Sequence, residues 1–384
     1  MRCYSSVLIL LTAAACAEPE LTAEERVALD ELDVDTLERS LGSVLAGKLL
    51  FERATYRGNG RTCETCHLPS SGSVSPADAQ DLFDADPGDV LFRGPDSDQG
   101  KLSSSTPGLT YDRLQDHATF LIPMGLPDNV RVVGDSSATS VLLQRSAGST
   151  LNTVGLVEPL LWDGRADADA QTRGAFDTHF ESPLSPSDRV FDAIIDFETA
   201  APRMYTSRAL WLWANGWGPA PRLPAGRTAA EKRGRTWFVD GTAGACAWCH
   251  AGDTLDEVSD YNPWGLPAGE RYVSAGISEL NATGQPTWTL AFADLDDPDA
   301  DPVVVTTPDP GRALVTGDVD DLNAFRIPTL WGAARTAPYF HDHSAEDLED
   351  VVEHFRDLLA EPPASVVMSD RDVDDIVAYM ALIR

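Results

Sequence analysis

The pentapeptide Cys63-Glu64-Thr65-Cys66-His67 occurs a second time as Cys246-Ala247-Trp248-Cys249-His250. Nothing else in the chain constrains it as strongly. Two thiols three residues apart on a helical turn can add to the two vinyl groups of a haem. The adjacent His then gives the iron its proximal nitrogen. Structural zinc would need the two dithiol pairs close together, and they stand 183 residues apart in sequence. A thioredoxin-like redox pair has no need of the trailing His. The motif therefore predicts two covalently bound haem c groups. Cys63, Cys66, Cys246 and Cys249 would attach them, and His67 and His250 would be the proximal iron ligands.

A chain of 384 residues has room for one large or two ordinary domains. Of its six cysteines, four belong to the motifs and two, Cys3 and Cys16, fall near the N-terminus, so none is left for an internal disulfide. The net charge of −32 makes nucleic acid and anionic membrane poor partners, because a phosphate-neutralising basic surface is lacking. Two readings of that charge stay open: a field that steers in a basic redox partner, and a solvated acidic surface suited to high salt.

Residues 1–17 read as an export signal, with Arg2 as the charged start, an apolar run over Val7–Ala15, and small residues after it. Ala13-Ala14-Ala15-Cys16 resembles a bacterial lipoprotein cleavage box with Ala where Leu is usual. Cleavage after residue 15 with a lipid anchor at Cys16 is preferred slightly over ordinary cleavage. The expectation is a periplasmic protein, in the lipoprotein form anchored to the outer membrane. No later run is long and apolar enough to span a bilayer.

Thr22-Ala23-Glu24-Glu25 is a capping-box start, and helical spacing continues through Leu37, Leu41, Val44, Leu45 and Leu49. Residues 68–139 are rich in Ser, Asp, Pro and Gly and read as a long, loop-rich insertion. Helices are expected around 168–176, 187–197 and 231–239. Two amphipathic ones are expected through Leu348, Val351, Val352, Phe355, Leu358 and Leu359, and through Val373, Ile376, Val377 and Met380. A small hairpin is expected within 272–292, turning at Asn281-Ala282-Thr283-Gly284. The best linker is 216–227, around Gly218-Pro219-Ala220-Pro221.

The chain also repeats itself. Gly47 and Phe51 before the first motif answer Gly234 and Phe238 before the second. Thr150 and Trp162 answer Thr329 and His341, each pair twelve residues apart. Ser187-Asp188-Arg189 answers Ser369-Asp370-Arg371, and the offsets all lie between 179 and 187. The repeat predicts a mostly α protein with two tandem cytochrome c-like domains related by duplication. The N-terminal domain would span 18–215, with the insertion inside it, and the C-terminal domain 228–384.

Leu161-Trp162-Asp163-Gly164-Arg165, Phe325-Arg326-Ile327-Pro328-Thr329-Leu330 and Ala337-Pro338-Tyr339-Phe340-His341-Asp342, together with the two haem motifs, resemble the bacterial dihaem cytochrome c peroxidase family. That family includes the MauG-like enzymes that oxidise a protein substrate. The resemblance covers about 42–67 and 140–384. It implies a peroxidatic haem on His67 and an electron-transfer haem on His250, with Trp162 as the relay between them. It also implies a Gln that orients hydrogen peroxide and a Glu that moves its proton. Gln171 and Glu181 stand nine and nineteen residues after Trp162, each one short of the family spacing.

The chain departs from the family at the far side of each iron. Ser137-Ala138-Thr139 stands where a distal His is usual, so the first haem is either open or takes His117, Met124 or Tyr111 from the insertion. At the second haem Phe355 aligns with the family's distal ligand and cannot ligate. His354 is ranked first in its place, with Met368 as the other candidate. His341 and Asp342 are expected to hold a haem edge or propionate, or to be purely structural, and His179 and His343 are expected at the surface. Ser146 aligns with the family's calcium-binding Asn, which leaves calcium open; so does the sequence a homodimer. The leading function is an exported peroxidase that reduces hydrogen peroxide with electrons from a small cytochrome c or cupredoxin. The alternatives are a MauG-like oxidase of a protein or organic substrate and a dihaem electron carrier without catalysis.

Overall fold

The computed structural model describes residues 21–239, 246–280, 285–295, 297 and 299–384. The expected export signal with Cys3 and Cys16, and the expected turn at 281–284, lie outside them. In chain order the helices are α1 (Ala23–Glu31), α2 (Val34–Leu41), α3 (Ser43–Arg53), α4 (Pro76–Ala85), α5 (Asp112–His117), α6 (Ala168–His179), α7 (Asp188–Ala200), α8 (Arg208–Ala214), α9 (Ala229–Val239), α10 (Ala313–Thr316), α11 (Leu348–Ala360) and α12 (Asp370–Met380). The strands are β1 (Thr119–Gly125), β2 (Val130–Val132), β3 (Ser140–Ser146), β4 (Tyr272–Ser274), β5 (Trp288–Phe292), β6 (Val303–Thr307) and β7 (Ala324–Arg326). The periodicity after Thr22 is not one helix. Leu32 turns left-handed at φ 55° and Gly42 stands at φ 82°, so the run breaks into α1, α2 and α3.

The same helix crossing is built twice. In the N-terminal half α3 packs on α7 so closely that a Cβ on Gly47 would stand 1.8 Å from the Ala193 carbonyl oxygen. In the C-terminal half α9 packs on α12, and a Cβ on Gly234 would stand 1.9 Å from the Asp375 oxygen. Only glycine permits either approach. One helical turn on from each glycine, an aromatic ring closes the contact: Phe51 meets Phe197 and Phe238 meets Tyr379, both at 5.4 Å between centroids. These rings are almost fully buried, and burial of each stabilises its crossing by about 1.5–3 kcal/mol.

The helices are supplemented by three small antiparallel sheets, β1-β3, β2-β5-β6 and β4-β7. The expected hairpin within 272–292 does not form. β4 pairs with β7, while β5 pairs with β2 and β6, so the two halves of that stretch enter different sheets. The insertion is also more than loop. It contributes α4, α5, β1 and β2 and buries a core of its own from Val74, Ala79, Leu91, Phe92, Leu114, Ala118 and Phe120. Its strand β2 joins β5 and β6 of the C-terminal half, which ties the insertion across the molecule. Residues 219–226 carry no regular element. No helix among the described residues is long and apolar enough to cross a membrane.

Candidate functional site

Each Cys-x-x-Cys-His motif opens as a one-turn helix, Cys63–Thr65 and Cys246–Trp248. Each His is then fixed in the same way. His67 Nδ1 donates to the Gly72 carbonyl at 3.0 Å, and His250 Nδ1 donates to the Leu255 carbonyl at 2.8 Å. A carbonyl only accepts, so the ring proton is held on Nδ1 and the Nε2 lone pair is left for a metal. Burial lowers the pKa of both rings, which keeps them neutral and able to ligate.

All four thiols and both histidines line one cavity of about 980 Å³. That is the upper end of the range for ligand pockets, about 300–1,000 Å³. Burial pushes the Cys66 and Cys249 thiols up to about 11 and Cys246 up to about 12, and it moves Cys63 the same way. Thiols with raised pKa values are unlike an activated redox pair. Among the described residues no group of three or more His, Cys, Asp and Glu stands together as a metal site. Paired protonated thiols and free Nε2 atoms in a large, mainly apolar cavity do fit two haems.

On the N-terminal side α6 forms a wall. Asp167 caps it by accepting from Ala170 N at 2.8 Å. Ala170, Gln171, Gly174, Ala175, Thr178 and His179 line the cavity, a helical stripe of spacing three and four. Gln171 is therefore in the site. Glu181 is not: it follows the helix at φ 49°, is exposed, and does not line the cavity. Its carboxylate accepts from Ser104 N at 3.0 Å and from Asn59 Nδ2 at 3.1 Å. These bonds outweigh partial burial and lower its pKa, the opposite of what a proton-donating acid needs.

His179 is a correction to the surface assignment. It lines the cavity, and its Nδ1 lies 3.1 Å from Asp96 Oδ2. Asp96 is fully buried and paired with Arg61 at 2.6 Å and Lys101 at 3.5 Å. His343 is a second correction: it is 9% exposed, lines the cavity, and donates from Nδ1 to the His117 carbonyl at 3.0 Å. His117 itself does not line the cavity, so it is not placed to ligate. Nor do Met124, buried between strands, or Tyr111, packed against Phe92.

Trp162 also lines the cavity and packs against an apolar cluster of Ala275, Ile277 and Phe325 of the C-terminal half. Its indole donates to the Ser146 carbonyl at 3.1 Å, and its own carbonyl accepts from Arg326 N at 2.8 Å. Beside it Arg145 is clamped between the buried carboxylates Asp163 and Asp309. His341 is fully buried and stacks on Phe325 at 4.4 Å, and neither ring nitrogen has a hydrogen-bond partner. His341 and Asp342 stay off the cavity lining, which places them behind the wall rather than on a haem edge.

On the C-terminal side the apolar stripe of α11 faces the cavity through Leu348, Val351, Val352, Phe355, Leu358 and Leu359. His354 points elsewhere. Its Nε2 is bonded to the Ala275 carbonyl at 2.8 Å, and it does not line the cavity. Met368 does line it, packed near Cys249 and Phe355. Of the two candidates it is therefore Met368, ranked second, that reaches the cavity, and His354, ranked first, that does not.

The sequence argument missed Arg61, Asp96, His179, His343 and Glu198. Glu198 is 5% exposed on the cavity wall, and burial raises its carboxyl to about 8. For His179 a signal existed, since it lies two helical steps of four beyond Gln171. For Asp96, buried inside an insertion, none did.

Two c-type motifs of one geometry around one cavity define a two-haem cytochrome site. No family model matches the chain. The cytochrome c peroxidase Ccp of Escherichia coli (strain K12) is 26% identical over 255 residues, which is 66% of this chain and 44% of that protein. The cytochrome c551 peroxidase of Nitrosomonas europaea is 46% identical over 52 residues, 14% of this chain and 16% of that protein. The matches thus span less than half the length of these relatives. A solved MauG-like protein associated with microbial copper homeostasis shares the fold, with TM-score 0.50 and 19% identity over 90% of this chain and 88% of that one. The chain is thus similar in sequence to bacterial cytochrome c peroxidases and in fold to a MauG-like protein.

Proposed function

We propose that the chain is an exported dihaem c-type cytochrome peroxidase. It reduces hydrogen peroxide to water at the N-terminal haem with electrons relayed from the C-terminal haem. One observation supports this reading: a single cavity is lined by both Cys-x-x-Cys-His sets, and Trp162 lines it too. When bound, the haems supply one iron that takes peroxide and another that passes electrons. The chain supplies the rest. His67 and His250 offer Nε2 with Nδ1 held by a carbonyl. Gln171 orients peroxide from α6. Trp162 bridges the halves, and Met368 would offer its sulfur to the C-terminal haem.

The reaction balances as one hydrogen peroxide, two electrons and two protons in, and two waters out, with the O–O bond broken. The reductant is a small cytochrome c or cupredoxin, and a basic face on it would suit the net charge of −32. Export to the periplasm, a lipid at Cys16 and descent of both halves from one duplicated domain belong to the same proposal. Calcium and a homodimer are not required by it. The test is electron paramagnetic resonance of the haem-loaded protein with and without cyanide. A high-spin haem that binds cyanide and peroxide supports the enzyme. Two low-spin haems that bind neither in any redox state leave only an electron carrier.

A further inference from the structure

Glu181 lies off the cavity, so the peroxide site needs another group to move a proton. Of the groups lining the α6 wall, Gln171 cannot exchange one at neutral pH, and Thr178 is far too weak an acid and base. His179, the last residue of α6, remains. It shares the helix face of Gln171 and Ala175, at successive steps of four, and lines the cavity with His67.

The surroundings of His179 fix its chemistry. Asp96 Oδ2 stands 3.1 Å from Nδ1, and a carboxylate only accepts, so Nδ1 carries the proton. The Nε2 lone pair is then what the ring offers to the cavity. Asp96 is held in turn by Arg61 at 2.6 Å, Lys101 at 3.5 Å and the Leu121 amide at 3.1 Å. Burial lowers the pKa of His179, Asp96 opposes this, and Lys101 and Arg61 add to the lowering. With the proton on Nδ1, Nε2 is the basic atom of the ring. The edge of Phe120, 5.8 Å away between centroids, packs against it.

We propose that His179 is the acid–base residue of the N-terminal site, with Asp96 and Arg61 as its positioning residues. Its Nε2 takes the proton from the near oxygen of hydrogen peroxide and returns it to the far oxygen, so that water leaves as the O–O bond breaks. The near oxygen leaves as the second water, with two electrons from the reduced donor and two protons from solvent. The proposal rests on the reading that the N-terminal haem is the peroxide site.

The test is stopped-flow association of cyanide and of hydrogen peroxide with the haem-loaded protein across pH, in wild type, His179→Gln and His179→Ala. Hydrogen cyanide must also lose its proton on binding, so it reports the base without turnover. His179→Gln keeps a donor for Asp96 and guards against misfolding. Both variants are expected to slow association by roughly a hundredfold or more and to flatten its pH dependence. Added imidazole should restore part of the rate in His179→Ala. Wild-type rates in both variants overturn the proposal. So does conversion of a low-spin N-terminal haem to high-spin in His179→Ala, which would make His179 an iron ligand. If wild type binds neither probe, the peroxide-site reading itself fails.

Discussion

Arg145 holds Asp309 through Nε at 2.6 Å and Nη2 at 2.8 Å, across 164 residues of sequence. The same guanidinium reaches Asp163, next to Trp162, so one buried cation fastens this segment to the C-terminal half. Removing it leaves buried Asp309 without its guanidinium partner and leaves Asp163 with Arg165 alone, at 2.7 Å. Arg145→Met should therefore destabilise the protein by about 3–5 kcal/mol, read from urea unfolding of the haem-loaded form.

The acid limb of stability follows from the same carboxylates. Buried Asp96, Asp163 and Asp309 are held below the ordinary Asp value of 3.8; burial opposes this, and their paired cations outweigh it. A depressed folded pKa contributes stability that is present above the unfolded pKa and is lost as pH falls through the folded one. Melting temperature should drop steeply below about pH 4, and Arg145→Met should flatten part of that drop.

Glu198 has the opposite sign. Its carboxyl is raised to about 8 by burial, so the folded state disfavours its charge. Relative to the unfolded chain, stability is lost as pH rises from the ordinary Glu range through about 8. Glu198→Gln should raise the melting temperature more at pH 9 than at pH 5. An equal effect at both would remove this assignment.

At the C-terminal haem, ligation separates Met368 from His354. Met368→Ala should turn that haem from low-spin to high-spin. His354→Ala should leave its spin state alone and cost only the bond to Ala275 and ring packing, about 1–3 kcal/mol of stability.

Trp162→Phe tests the relay. It keeps the aromatic packing against Phe325 but loses the indole bond to Ser146. Both haems should remain attached. Electron transfer between them, followed after rapid mixing with peroxide, should slow about tenfold or more, equivalent to about 1.4 kcal/mol of barrier.

Much of this was legible in the sequence because its signals are local. The two Cys-x-x-Cys-His motifs, the glycine that each helix crossing requires, and the apolar stripe of α11 are fixed by neighbours in the chain. The apolar spacing likewise gave α7 and α12 within a few residues. What failed depends on contacts far apart. His354 looked like a ligand until the Ala275 carbonyl, 79 residues away, took its nitrogen. Glu181 has the family spacing less one residue, but Ser104 from the insertion draws its carboxylate outward. His179 looked exposed because Asp96 comes from a stretch whose composition suggested only loop. In each case the insertion or a distant strand supplied the partner, and no local periodicity records that.

The central claim is peroxide reduction with electrons that enter from a donor and pass through both haems. The most direct measurement is peroxide-dependent oxidation of a reduced small cytochrome c by the haem-loaded protein. The predicted result is two donors oxidised per peroxide. Turnover should be lost when either haem is removed, by Cys63→Ala with Cys66→Ala or by Cys246→Ala with Cys249→Ala. Absence of peroxide-dependent oxidation in wild type with both haems in place, or turnover that survives loss of the N-terminal haem, would contradict it.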